Sequence, residues 1–159
     1  MLFIVHYINR DIIYPLRLKS NTKVPLEIML SAFSFTFGNG YIQGVANKEY
    51  VPQPLWKTSL GVVVFFLGMW INIHSDNILQ ASKEKLNKEG TSMFYTGSKK
   101  YIRIDKFLFK YISNPNYFGE IIEWAGYAIT FGHFYAWLFV FSTINVLTPA
   151  AMVRSKWNK

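Results

Sequence analysis

Apolar positions along the chain gather into long blocks, at residues 2–16, 25–43, 60–79, 117–131 and 134–153, with the charged residues confined largely to the stretches between them. Each block lies near or somewhat below the roughly 20 residues a helix needs to cross a bilayer. The pattern predicts an all-α fold, a polytopic membrane helix bundle with about four to five transmembrane helices. The clearest block centres on "LGVVVFFLGMWI", which carries no charge. The last two are separated by Gly132 and His133, a predicted helix stop. The first is short and interrupted by polar residues, like the remaining half of a longer helix. There is no internal repeat and no low-complexity tract.

Composition supports the membrane reading. Charged residues are 16% of the 159, against the usual quarter, while 51% are hydrophobic and 18% aromatic. The net charge of +8 raises nucleic acid as a partner, but the basic residues cluster at block ends, where a positive-inside bias puts them, so nucleic acid is set aside. Without cysteine, disulfides, thiolate metal sites and a cysteine nucleophile are excluded. The opening "MLFIVHYINR" reaches His6 and Arg10 before any adequate apolar core, unlike a signal peptide. Every second connection is strongly basic: Arg17, Lys19 and Lys23; then Lys83, Lys85, Lys88, Lys99, Lys100, Arg103, Lys106 and Lys110; then Arg154, Lys156 and Lys159. With five spans, residues 17–23, the 80–110 connection and the C-terminus are predicted to face the cytosol.

An ionisable group at the centre of a bilayer helix costs on the order of 2.5–3.5 kcal/mol, so it turns towards a cavity, a partner or a ligand. Three clusters qualify. "HYINRDIIY" sets Tyr7, Arg10 and Tyr14 at i, i+3 and i+7, one helix face; "INIHSD" sets Asn72 and Asp76 at i, i+4; Asn116, Glu120 and Glu123 follow i, i+4, i+7. The first and third blocks run towards the cytosol and carry their polar groups late, whereas the fourth leaves it and carries them early. All three clusters are therefore expected at one cytosolic depth. Their amides and carboxylates suit a nicotinamide carboxamide, a ribose or an adenine, and the basic connections suit phosphates.

Plainer roles stand beside these. Arg10 has two simple partners on offer, Asp11 or a carboxylate at the membrane interface. His6 and His74 read as packing or hydrogen-bonding residues, since no ligand set of metal-site spacing accompanies them, and no metal is expected. Tryptophans and tyrosines at block ends read as interfacial anchors. Glu120 and Glu123, flanked by "IIEWAGYAI", do not read as a solvated face. No glycine-rich Rossmann fingerprint follows a strand.

At these residues the chain resembles the steroid 5α-reductase family. "HYINRDIIYPL", "FGNGYIQG", "LGMWINIHSDNIL" and "YISNPNYFGEIIEWAGYAI" occur in that family's order and at its approximate spacing. The "INIHSD" and "NYFGEIIEW" forms look more like its steroid-reducing branch than the related enoyl-CoA and polyprenal reductases. The resemblance implies a multi-pass enzyme of the endoplasmic reticulum membrane in which NADPH reduces a Δ4-3-oxosteroid, hydride going to C5 and a proton to C4. It implies that Tyr7 donates to the C3 oxygen. It implies that Asn72, Asp76, Tyr101, Asn116, Glu120 and Glu123 bind the cofactor, with Lys83 where an arginine is common and Arg17 and Lys19 as looser phosphate contacts.

There are departures. Family members have about two more helices before the position of His6, including an acidic or amide partner for the tyrosine, and an aromatic and basic tail beyond the position of Lys159. The 159 residues are thus expected to be the C-terminal part of a reductase-like membrane domain, truncated at both ends and poorly active at this length. "KKYIRIDKFLF" stands where the family has a glycine-containing turn. The alternatives are an enoyl-CoA or polyprenal reductase of the same superfamily, an isoprenylcysteine-type membrane methyltransferase, whose histidine-rich and arginine-containing C-terminal motif is missing, and a non-catalytic remnant.

Overall fold

The computed structural model describes residues 1–17, 25–49, 52–89, 94–96, 99–101 and 104–155, with backbone alone at 28, 49, 85–89, 94–96, 99–101, 150 and 153–155. Each apolar block forms a helix. The first, α1, is composite: an α-helix over Leu2–Tyr7, a π-helical stretch over Ile8–Ile13 and a last α-turn over Tyr14–Arg17. The others are α2 (Leu26–Ala46), α3 (Leu55–Glu89), α4 (Pro115–Phe131) and α5 (Phe134–Ser155).

Two details differ from the sequence reading. The wide turn in α1 precedes Pro15, whose ring would collide with the carbonyl four residues back and which has no N–H to offer it. A single α-helical face for Tyr7 and Arg10 is thereby lost: Tyr7 turns towards α2, Arg10 towards α3. The 80–110 connection is also more ordered than a loop. Its start, "QASKEKLNKE", contains strong helix formers and neither glycine nor proline, so α3 runs on to Glu89. Beyond it, strands β1 (Phe94–Thr96) and β2 (Lys99–Tyr101) pair antiparallel with Phe94 opposite Tyr101, a small exception to the all-α architecture. A 3₁₀ turn at Phe107–Lys110 leads into α4. Where the resemblance leads one to look for glycine, Phe107 adopts φ 53°, and its ring packs edge-on against Trp70 and His74.

The central contact is the antiparallel crossing of α3 and α4, which small residues make close. Gly61 faces Gly126, and Gly68 faces Gly119; a Cβ on Gly68 would come within 2.2 Å of the Glu123 nitrogen, and one on Gly119 within 2.5 Å of the Asn72 nitrogen. Such separations exclude any side chain, and they bring the polar ends of both helices together. Pro115 opens α4 at a position where its missing N–H costs nothing. Gly132 ends it at φ 71°, its N–H returning to the Ala128 carbonyl, as the predicted stop requires. An aromatic core of Phe65, Trp124, Tyr127 and Phe139 receives Phe3 and Tyr7 from α1.

Among the described residues one helix, over Leu55–Glu84, is long and apolar enough to cross a membrane, with Phe134–Pro149 a shorter apolar helix; that criterion does not confirm four to five spans. The distribution of side chains nevertheless suits a lipid solvent. Phe33, Phe37, Val63, Trp70, Phe134 and Phe141 are exposed, while Gln43, Asn72, Ser75, Asp76, Asn116 and Glu123 are buried. Water-soluble folds arrange these classes the other way round.

Candidate active site

Asp76 is the hub of a polar cluster where α1, α3 and α4 meet. Its Oδ1 accepts from Asn116 Nδ2 at 3.1 Å and its Oδ2 from Arg10 Nη1 at 3.4 Å. Asn72, one turn back on α3, donates through Nδ2 to the Asn116 carbonyl at 3.1 Å. The Arg10 guanidinium also lies 5.1 Å from the centre of the Tyr14 ring, a cation–π distance. Glu120 is near enough to Tyr7, Arg10, Asp76 and Glu123 to interact electrostatically with all four. One turn deeper, Glu123 Oε1 takes a 2.8 Å hydrogen bond from His6 Nδ1.

Three buried atoms of this region have no hydrogen-bond partner among the described residues: Asn116 Oδ1, Glu120 Oε2 and, next to Asp76 in the chain, Ser75 Oγ; the Gln80 side chain has the Tyr14 hydroxyl as a hydrogen-bonding neighbour. A buried polar group left unpaired costs about 1–3 kcal/mol, so three together mark a place built to be completed by something polar. They offer donors and acceptors at helix spacing, with the Arg10 cation beside them. That donor and acceptor set fits the amide and hydroxyl groups of a dinucleotide.

Most of the sequence-derived candidates converge. Asn72, Asp76, Asn116 and Glu120 line the cluster, Glu123 lies beneath it and Tyr7 beside it. Lys83 is exposed, two turns beyond Asp76 on the same helix, and adds its positive charge to the surroundings of that carboxylate. Tyr101 belongs to β2, opposite Phe94, and its side chain lies outside the described residues, as do Lys19 and Lys23. Arg17 is exposed at the end of α1. Of the two partners on offer for Arg10, it takes a carboxylate from another helix. His74 stacks on Trp70 at 5.4 Å as a packing residue, and no group of potential metal ligands occurs among the described residues.

Two features escaped the sequence reading. His6 as the donor to Glu123 was signalled only by the general need of a buried carboxylate for one. Asn39 and Gln43, in "FGNGYIQG", had been given no role; their i, i+4 spacing on α2 was the available hint. They line a cleft of about 290 Å³ between α2 and α5, together with Phe35, Ile42, Leu138 and Phe139. The Tyr7 hydroxyl has the side chains of Thr36 and Asn39 as hydrogen-bonding neighbours, so Asn39 joins the cleft to the tyrosine.

The molecule is thus a helical bundle with an apolar exterior and a polar crevice completed by residues from three helices. Residues 22–159 match the family model described as 3-oxo-5-alpha-steroid 4-dehydrogenase, and the chain belongs to that family. It is 36% identical to 3-oxo-5-alpha-steroid 4-dehydrogenase 1 of Bos taurus, over 98% of this chain and 58% of the relative. It is 35% identical to steroid 5-alpha-reductase DET2 of Gossypium hirsutum, over 98% of this chain and 60% of the relative. With 3-oxo-5-alpha-steroid 4-dehydrogenase 2 of Sus scrofa the identity is 38%, over 92% and 55%. The chain spans 55–60% of the length of these curated relatives.

Proposed function

We propose that this chain is the C-terminal, cofactor-holding part of an NADPH-dependent reductase that saturates the 4,5 double bond of a 3-oxosteroid. The observation that carries the proposal is the crevice itself: three unpaired buried polar atoms around the Asp76, Asn116 and Arg10 bonds, in a chain of this family. Bound NADPH would supply the hydride for C5. Asn72, Asp76, Asn116 and Glu120 would hold it by hydrogen bonds, Glu123 would support the site from beneath through His6, and Lys83, Tyr101, Arg17 and Lys19 would serve its charged, distal half.

Tyr7 would act on the substrate. Negative charge gathers on the C3 oxygen as hydride reaches C5, and a hydroxyl already directed there stabilises that charge at little reorganisation cost. A proton taken up from solvent would then add at C4 and complete the saturated ketone, the Tyr7 hydroxyl keeping its own. The α2–α5 cleft, apolar apart from Ser34, Asn39, Gln43 and Ser142, suits a flat lipid with one polar end. A steroid dissolved in the bilayer would reach it from the side. Placement in the endoplasmic reticulum membrane as a multi-pass protein, with residues 17–23, the 80–110 connection and the C-terminus on the cytosolic face, would present the crevice to cytosolic NADPH.

Ligand-induced protection from thermal unfolding tests the proposal. NADPH at about 100 times its Kd should stabilise the full-length protein by about 2.7 kcal/mol, and Glu120→Gln should weaken that protection without affecting membrane insertion. Protection by S-adenosylmethionine in place of NADPH would identify a membrane methyltransferase and overturn the reductase.

A further inference from the structure

A line of hydrogen bonds crosses the bundle from the end of α2 to the neighbourhood of Tyr7. Asn47 Nδ2 donates to the Tyr127 hydroxyl at 3.3 Å, and that hydroxyl donates to Gln43 Oε1 at 3.3 Å. Gln43 Nε2 donates twice, to the Tyr135 carbonyl at 3.0 Å and to Asn39 Oδ1 at 3.4 Å. Gln43 is only 2% exposed, and all its polar atoms are engaged. Turning its amide over would oppose carbonyl to carbonyl at Tyr135 and at Asn39, so its orientation is fixed. That orientation in turn fixes Asn39. With Oδ1 accepting from Gln43, the Asn39 Nδ2 group must serve another acceptor; it is buried and closes no bond among the described residues, and the Tyr7 hydroxyl is its neighbour.

We propose that Asn39 is a positioning residue for Tyr7: its Nδ2–H, aimed by Gln43 and Tyr127, donates to the Tyr7 oxygen and leaves the phenolic proton for the substrate carbonyl. Every donor in the sequence Asn47, Tyr127, Gln43, Asn39, Tyr7 then points the same way. Aligned hydrogen bonds polarise one another, so each link makes the next donor stronger, and the last donor is the one that meets developing charge. A tyrosine whose lone pairs lack such a donor is free to turn its proton towards a neighbour such as Thr36. The role of "FGNGYIQG" becomes definite: Asn39 and Gln43 stand one turn apart so that one amide can orient the other.

The inference rests on the reductase reading, and a double-mutant cycle separates the two. Single-turnover steroid reduction at saturating NADPH is measured in the full-length protein for Asn39→Ala, Asn39→Asp and Tyr127→Phe, each alone and combined with Tyr7→Phe. Asn39→Ala should slow the step about twofold to tenfold, the net value of one hydrogen bond, with NADPH affinity unchanged. Asn39→Asp keeps the shape but replaces the donor with an acceptor and should slow it at least as much. Tyr127→Phe, remote from substrate and still filling its aromatic site, should slow it by a smaller factor. On the Tyr7→Phe background all three effects should vanish. Equal effects with and without the Tyr7 hydroxyl would reduce the chain to a structural element and overturn the inference, as would a wild-type rate in Asn39→Asp. A wild-type rate in Tyr7→Phe alone would remove Tyr7 as the donor and take the inference with it.

Discussion

His6 Nδ1 and Glu123 Oε1 lie 2.8 Å apart with both side chains buried, a single bond that ties α1 to α4 directly beneath the polar crevice. Because His6 immediately precedes Tyr7, the bond also fixes the rotation of α1 that turns Tyr7 towards α2. Glu123→Leu removes the acceptor and strands the imidazole, which should cost on the order of 1–3 kcal/mol. Glu123→Gln keeps an oxygen in place and should cost less. Thermal unfolding in detergent micelles checks the order; equal stability of the leucine variant and the wild type would mean that the pair holds nothing.

The α3–α4 crossing makes a sharper stability prediction, because two glycines of similar helical setting differ only in their neighbours. A Cβ on Gly119 would meet the Asn72 nitrogen at 2.5 Å, whereas one on Gly44 would meet nothing within 4 Å. Gly119→Ala should therefore destabilise by about 1–3 kcal/mol or more as the helices are forced apart. It should also weaken cofactor binding, since Asn72 and Asn116 would separate. Gly44→Ala should be neutral or stabilise by roughly 0.5–1 kcal/mol through helix propensity alone. Denaturation of the two variants side by side is the measurement, and equal losses would contradict the packing account.

Acid should loosen the start of α5. His133, in the connection before that helix, accepts from the Ala136 N–H through Nδ1 at 3.0 Å, and burial holds its imidazole below the ordinary histidine value. A protonated ring has no lone pair at Nδ1, so the cap requires the neutral form. Between the folded and unfolded pKa values the unfolded chain binds more protons, and stability rises with pH through that window. It is thus fully present above about pH 6.5 and lost as the pH falls towards the folded value. His133→Ser, which can still cap the helix, should flatten this part of the pH–stability profile. An unchanged profile in that variant would assign the acid sensitivity elsewhere.

What could be read from the sequence followed from periodicity and cost. Block lengths fixed the five helices, Gly132 marked the break between the last two, and the expense of burying Asp76, Asn116 and Glu120 in apolar surroundings marked where the helices meet. Three things were illegible for physical reasons. The π-helical stretch before Pro15 depends on how one turn relieves a local clash, which side-chain patterning does not encode. The left-handed Phe107 is held by tertiary contacts with Trp70 and His74, against its own backbone preference. The His6–Glu123 pair joins residues 117 positions apart, and only the rotation of α1 on α4 decides which polar groups face. The extension of α3 to Glu89, by contrast, was available from propensity.

The most direct test of the central claim follows the hydride and the hydroxyl together. Membranes containing the full-length protein are given NADPH deuterated at C4 of the nicotinamide and a Δ4-3-oxosteroid, and the product is analysed by mass spectrometry and NMR for wild type and for Tyr7→Phe. Deuterium is expected at C5 of a 5α-reduced product. The rate should be lower by about 10²–10³ in Tyr7→Phe, the usual consequence of losing one preorganised donor to an oxyanion, with NADPH affinity retained. Absence of deuterium at C5, or equal rates in the two proteins, would contradict that claim.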